Sequence, residues 1–106
     1  DDLALVERCL ARDQGGYTEF VERYQSLVFG VCLRMLGDRQ EAEDAAQDVF
    51  VRALRGLSGW DRGRPLRPWL ITIATNRCRT YISQRRKRPA LTEYVEETQD
   101  MRHGQE

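Results

Sequence analysis

Between Thr18 and Leu36 the chain places apolar side chains around nearly the whole circumference of a helix. Phe20, Val21, Tyr24, Val28, Val31, Cys32 and Met35 form one stripe at helical spacing, and Leu27, Phe29, Leu33 and Leu36 widen it. The pattern predicts a helix buried on most sides. Gly37 follows it, as a glycine past a helix end should. A chain of 106 residues, 41% of them hydrophobic, is long enough for one domain with a small core.

Three more helical segments flank this one. The first spans about Leu3 to Arg12, with Leu3, Val6 and Leu10 on one face, and Gly15-Gly16 is expected to break it. The third opens with Asp38 as N-cap and Glu41 as its capping-box partner, and runs to about Leu57. Ser58 to Arg64 reads as a loop. Pro65 and Pro68 fit only near a helix start, so the fourth helix begins around residues 65–67 and continues to about Arg86, with Pro89 as its stop. Residues 89–106 are polar and acidic and read as a partly disordered linker or tail. No repeat and no strand-like alternation occurs. The expected fold class is all-α, a compact bundle of about four helices.

The formal net charge is zero, but the charges are segregated. Residues 62–88 carry nine basic side chains and no acidic one, whereas residues 1–60 carry eleven acidic and seven basic. A basic block without counter-charge suggests a polyanionic partner. No apolar run is long enough to span a membrane, and no secretory signal opens the sequence, so a cytoplasmic location and no membrane insertion are expected. Cys9, Cys32 and Cys78 are odd in number and widely spaced, which fits small buried residues rather than a disulfide framework or metal site. His103 stands alone in the polar tail and is given no role.

On the third helix, Ala42, Ala45, Ala46, Val49, Phe50, Ala53, Leu54 and Leu57 share the core side. Asp44, Gln47, Asp48, Val51, Arg52 and Arg55 share the other. An ordinary wet face with an Asp48–Arg52 pair would explain them. Yet aspartate is a poor interior helix former, and short carboxylates at fixed spacing make a rigid acceptor surface suited to arginines of a partner. With Asp48 on the wet side, reversing its charge is expected to cost little stability.

The fourth helix divides in the same way. Leu66, Trp69, Leu70, Ile73, Ala74, Cys78, Tyr81 and Ile82 form a core face on which Arg77 is the one charged residue. Thr72, Thr75, Asn76, Arg79, Thr80, Ser83 and Arg86 form the other. Small hydrogen-bonding groups mixed with arginine suit base edges and phosphates. The loop before it adds Trp60, Arg62 and Arg64. Trp60 is open to two readings, a ring that stacks an unpaired base or a hydrophobic plug under the loop.

These segments resemble a known family. GDRQEAEDAAQDVFVRAL followed by LRPWLITIATNRCRTYISQRRKR is similar to region 2 of bacterial RNA polymerase sigma factors of the extracytoplasmic function (ECF) group, over roughly residues 3–88. The resemblance implies that Asp44, Gln47 and Asp48, with Phe50 beneath and Val51 and Arg52 beside them, dock on the clamp helices of the largest subunit of core RNA polymerase. It implies that the loop captures a base flipped from the single-stranded non-template minus-ten element of promoter DNA. The residues concerned are Trp60, Asp61, Arg62, Gly63, Arg64 and Pro65, with Arg67, Thr72, Thr75, Asn76, Arg79, Thr80, Ser83 and Arg86 on the helix. An anti-sigma factor is a further partner of such domains.

Two positions depart from the family pattern: Leu66 stands where phenylalanine is usual, and Thr80 where aspartate is frequent. The second change removes a negative charge from the expected DNA face. Residues 1–88 are expected to form the region 2 domain, with 89–106 as its acidic linker. The region 4 helix-turn-helix domain is absent from these 106 residues. No nucleophile–base pair, catalytic carboxylate pair or metal cluster is seen, so no enzyme activity, cofactor or metal is expected. The competing reading is a helical protein-interaction regulator that mimics a sigma domain without binding DNA.

Overall fold

Helix α2 (Gln14–Leu36) is the axis of the molecule, and the reason is its apolar circumference. Helices α1 (Asp2–Leu10), α3 (Arg39–Arg55) and α4 (Leu66–Arg86) all pack against it. A short 3-10 turn, Leu57–Gly59, follows α3. This computed structural model describes residues 1–86, and those residues contain no strand. The expected Pro89 stop and the acidic tail lie outside the described residues.

The core runs as one cluster through all four helices. Phe20, Tyr24, Val28 and Cys32 of α2 meet Ala42, Ala45, Val49 and Ala53 of α3 and Leu66, Leu70, Ala74 and Cys78 of α4. Alanines dominate the buried face of α3, which lets its backbone approach α2 closely. All three cysteines are buried and free. Burial, and then the neighbouring Cys78, push the Cys32 thiol up to about 12, so it behaves as a small apolar side chain.

The helix ends follow their capping residues. Gly37 closes α2 in the left-handed conformation, φ 72°, and donates its N–H to Leu33. Asp38 caps α3 by accepting from the Glu41 N–H at 2.9 Å. The expected capping box is only half formed. The Glu41 carboxylate takes the Arg85 guanidinium instead, and Arg85 Nη2 also donates to the Leu36 carbonyl at 2.9 Å. One arginine near the end of α4 thereby joins the end of α2 to the start of α3.

Two expectations fail in the first helix and its connection. The buried face of α1 is Leu5, Val6 and Cys9, while Leu3 and Leu10 are exposed. Gly15-Gly16 does not break a helix but lies in the first turn of α2. The break sits earlier, at Ala11–Asp13, where Arg12 adopts φ 62° and Asp13 accepts from the Gly15 N–H at 3.0 Å. Gly16 is needed for proximity: a Cβ there would lie 2.9 Å from Arg8 Cβ and 3.2 Å from Arg8 backbone. Gly16→Ala is therefore expected to push α1 and α2 apart and cost about 1–3 kcal/mol, read as a lower urea midpoint with an unchanged slope. A midpoint equal to the parent's would show that the close approach is dispensable.

Candidate partner-binding and nucleic-acid faces

The acidic stripe of α3 follows from helical spacing, since residues three and four apart rise on one side. Asp44, Gln47, Val51 and Arg52 are exposed, and Phe50 is buried beneath them, edge-on to Phe20 at 6.1 Å. Asp44 accepts one weak bond, from Gln40 Nε2 at 3.2 Å. Beside the stripe, between α2 and α3, runs a groove of about 430 Å³ whose lining includes Val21, Phe29, Ala46, Gln47 and Phe50. Arg39 covers its Phe29 edge, its guanidinium 5.4 Å from the ring centre.

Asp48 departs from the expectation. It is neither free nor paired with Arg52. Arg77 of α4 donates from Nε to its Oδ2 at 2.8 Å, and the two side chains keep only 20% and 34% of their exposure. The Arg77 guanidinium also lies 5.4 Å from the Tyr81 ring centre. Burial raises the Tyr81 phenol above its ordinary value; Asp48 and Asp44 push it further and Arg77 opposes them. Reversing the charge of Asp48 would set two guanidinium groups against each other across the α3–α4 contact. The expectation of a cheap substitution is therefore corrected. Arg77 and Tyr81 border this face, and sequence reasoning gave them no part in it. The available signal was Arg77 itself, a lone charge on an apolar helix face.

The loop before α4 is held by its own residues. Asp61 accepts from the Gly63 N–H at 2.9 Å, a local turn closed by a side chain. Arg64 Nε lies 3.5 Å from Asp61 Oδ2, and Arg62 Nε lies 3.8 Å from Glu7 Oε2 on α1. These arginines are less isolated than the sequence suggests. Pro65 and Arg67 are exposed. At Trp60, which the sequence leaves open between a base-stacking ring and a hydrophobic plug, burial favours the plug. Only 6% of it is exposed, so the ring packs into the core, and its Nε1 has no acceptor among the described residues.

On the outer face of α4, Asn76 and Arg79 form a pair. Arg79 Nη1 donates to Asn76 Oδ1 at 3.3 Å, which leaves the amide's two N–H groups pointing away from it. Thr72 and Thr80 turn their hydroxyl protons back to the carbonyls of Pro68 and Asn76, at 3.0 and 3.2 Å. They present acceptors, not donors, to a ligand. Thr75 and Ser83 are half-buried beside them, and Arg86 is exposed. Arg67, Arg79 and Arg86 have no acidic partner among the described residues. No group of residues that could hold a metal ion occurs among the described residues.

An all-α bundle with an acidic stripe on one helix and a mixed arginine face on the next defines a class of protein, and comparison with known proteins names it. Residues 20–88 match the family model of sigma-70 region 2. The chain is 31% identical over 103 residues to the RNA polymerase sigma-H factor of Pseudomonas aeruginosa, covering 97% of this chain and 53% of that protein. It is 41% identical over 64 residues to the ECF RNA polymerase sigma factor SigW of Bacillus subtilis, covering 60% of this chain and 34% of that protein. A solved complex of an engineered region 2 of sigmaE with GTAAAA superposes with a TM-score of 0.77 at 32% identity, over 83% of this chain and 92% of that one. The chain belongs to the sigma-70 region 2 family. It spans about half the length of the sigma-H factor and about a third of SigW. Helix α1 lies before the matched residues, yet it packs on α2 as part of the same core.

Proposed function

We propose that this chain is the promoter-recognising and promoter-melting region of an ECF sigma factor, acting in the cytoplasm. Residues 1–88 would work as one unit and 89–106 as the start of a linker. The acidic stripe on α3 would receive arginines of the clamp helices of core RNA polymerase. The loop 58–65 and the outer face of α4 would hold the single-stranded non-template minus-ten element. The observation that carries this reading is the separation of the two faces on adjacent helices of a sigma-70 region 2 fold, so that both partners can be held at once. Melting needs no catalytic group: holding an unstacked base offsets the few kcal/mol that unstacking costs.

The chemistry of each face fits its partner. Arg67, Arg79 and Arg86 supply phosphate contacts, and the free N–H groups of Asn76 suit a base acceptor. With Trp60 buried, base capture rests on Arg62, Gly63 and Arg64 at the loop surface. Because sigmaE region 2 was solved with GTAAAA, that hexanucleotide is the first probe. Fluorescence anisotropy is expected to give tighter binding to a single strand than to the same sequence in duplex, where unpairing must be added. Preference for intact duplex would sink base capture. No binding to either form, with polymerase binding intact, would favour the protein-interaction regulator.

Asn76→Ala is expected to lose about 1–3 kcal/mol of discrimination at one position of a panel of single-base variants. Arg79→Ala is expected to weaken every sequence and lower the salt slope by about one unit. Because Arg79 also orients the Asn76 amide, the two effects should not add. Additive losses would mean that the pair acts as two independent contacts.

A further inference from the structure

Arg77 stands where α4 is otherwise apolar, with its charge turned toward α3 and away from the outer face. Its one ionic partner among the described residues is Asp48, and Asp48 has no other. Asp48 belongs to the stripe that the proposed function assigns to arginines of the polymerase. A partner's guanidinium and Arg77 therefore seek the same carboxylate. Building on that assignment, we propose that Arg77 is an internal rival of the polymerase's arginine, holding the affinity of the acidic face below what Asp44, Gln47 and Asp48 together could give.

The sign of the effect follows from the charges. A second guanidinium reaching Asp48 gains attraction from the carboxylate and meets repulsion from Arg77 within a few ångströms, so the two largely cancel. The other groups facing Asp48 do not change this balance. Asp44 lies one turn before it, Arg52 one turn after it on the exposed side, and Tyr81 of α4 is uncharged at neutral pH. The arrangement also separates two roles for Arg77. Were it only a strut between α3 and α4, removing it would loosen the stripe and weaken binding. As a rival, its removal strengthens binding, a change that loss of structure does not produce.

The test measures binding of the full chain to purified bacterial core RNA polymerase by competition with a labelled parent chain. Arg77→Gln and Arg77→Met both remove the charge, and the second keeps an apolar stem against Tyr81. At least one of them is expected to bind about fivefold more tightly, the scale of a partly exposed charge pair. In an Asp48→Asn background the same substitution is expected to give no gain. Unchanged or weaker binding by both variants, or an equal gain without the Asp48 charge, overturns the rivalry. Asp44→Arg tells the two ideas apart. If it binds like the parent, the assignment of the stripe to polymerase falls, and the rivalry with it. If it abolishes binding while the Arg77 variants give no gain, the rivalry alone falls.

Discussion

Phe20→Ala is expected to lower the thermal midpoint by more than about 10 °C, and to leave the chain close to the edge of folding. Phe20 is fully buried on α2, tilted against Tyr24 at 5.3 Å and edge-on to Phe50 of α3 at 6.1 Å. Removing such a ring deletes its transfer energy and leaves a cavity, together about 3–5 kcal/mol. A domain of this size has about 5–15 kcal/mol in all, and each kcal/mol moves its midpoint by roughly 4–8 °C. The hole would open directly under Phe50, so the groove beside the acidic stripe should also slacken. Circular dichroism melting measures the loss. A midpoint within a few degrees of the parent's would mean that the helices collapse into the vacated space.

Asp44→Arg is expected to weaken binding to core RNA polymerase by at least about thirtyfold while the melting curve stays that of the parent. Asp44 is exposed, touches no cation among the described residues, and accepts only from Gln40. Surface changes of this kind stay within about 0.5 kcal/mol of neutral for stability. Like charges brought together across an interface cost several kcal/mol. Asp48→Arg is the poorer experiment, because it also strands Arg77 and mixes loss of fold with loss of contact. Polymerase binding is measured with purified core enzyme, and stability by melting of the same preparation. A folded Asp44→Arg variant with parental affinity would remove the acidic stripe from the polymerase interface.

What could be read from the sequence depended on the range of the interaction. Helix α4 was legible because Leu66, Leu70, Ala74 and Cys78 recur every four residues, and all four are buried. Gly37 and Asp38 act within a few residues of themselves, and both do what their type favours. The motif spacing carried the family, and the match over residues 20–88 bears it out. Helix α1 is read from sequence with Leu3, Val6 and Leu10 on its inner face, but its apolar residues at 3, 5, 6, 9 and 10 allow two faces, and only its packing on α2 selects Leu5, Val6 and Cys9. Gly15-Gly16 looked like punctuation because local rules treat glycine as a breaker. The close approach of Arg8 that Gly16 permits belongs to tertiary structure. The Asp48–Arg77 bridge joins residues 29 positions apart, beyond any local pattern. Trp60 stayed open between two readings for a related reason: its neighbours in sequence are glycines and charged residues, but its neighbours in space are the core.

The buried indole of Trp60 anchors the α3–α4 connection to the core at the cost of one buried donor. Its N–H is buried and has no acceptor among the described residues. An unpaired buried donor of this kind destabilises the closed state by about 1–3 kcal/mol. Any outward tilt of the ring hands that N–H to solvent and recovers part of the loss. The connection is therefore held by the apolar body of the ring, and the one polar atom of that ring is where its hold is weakest.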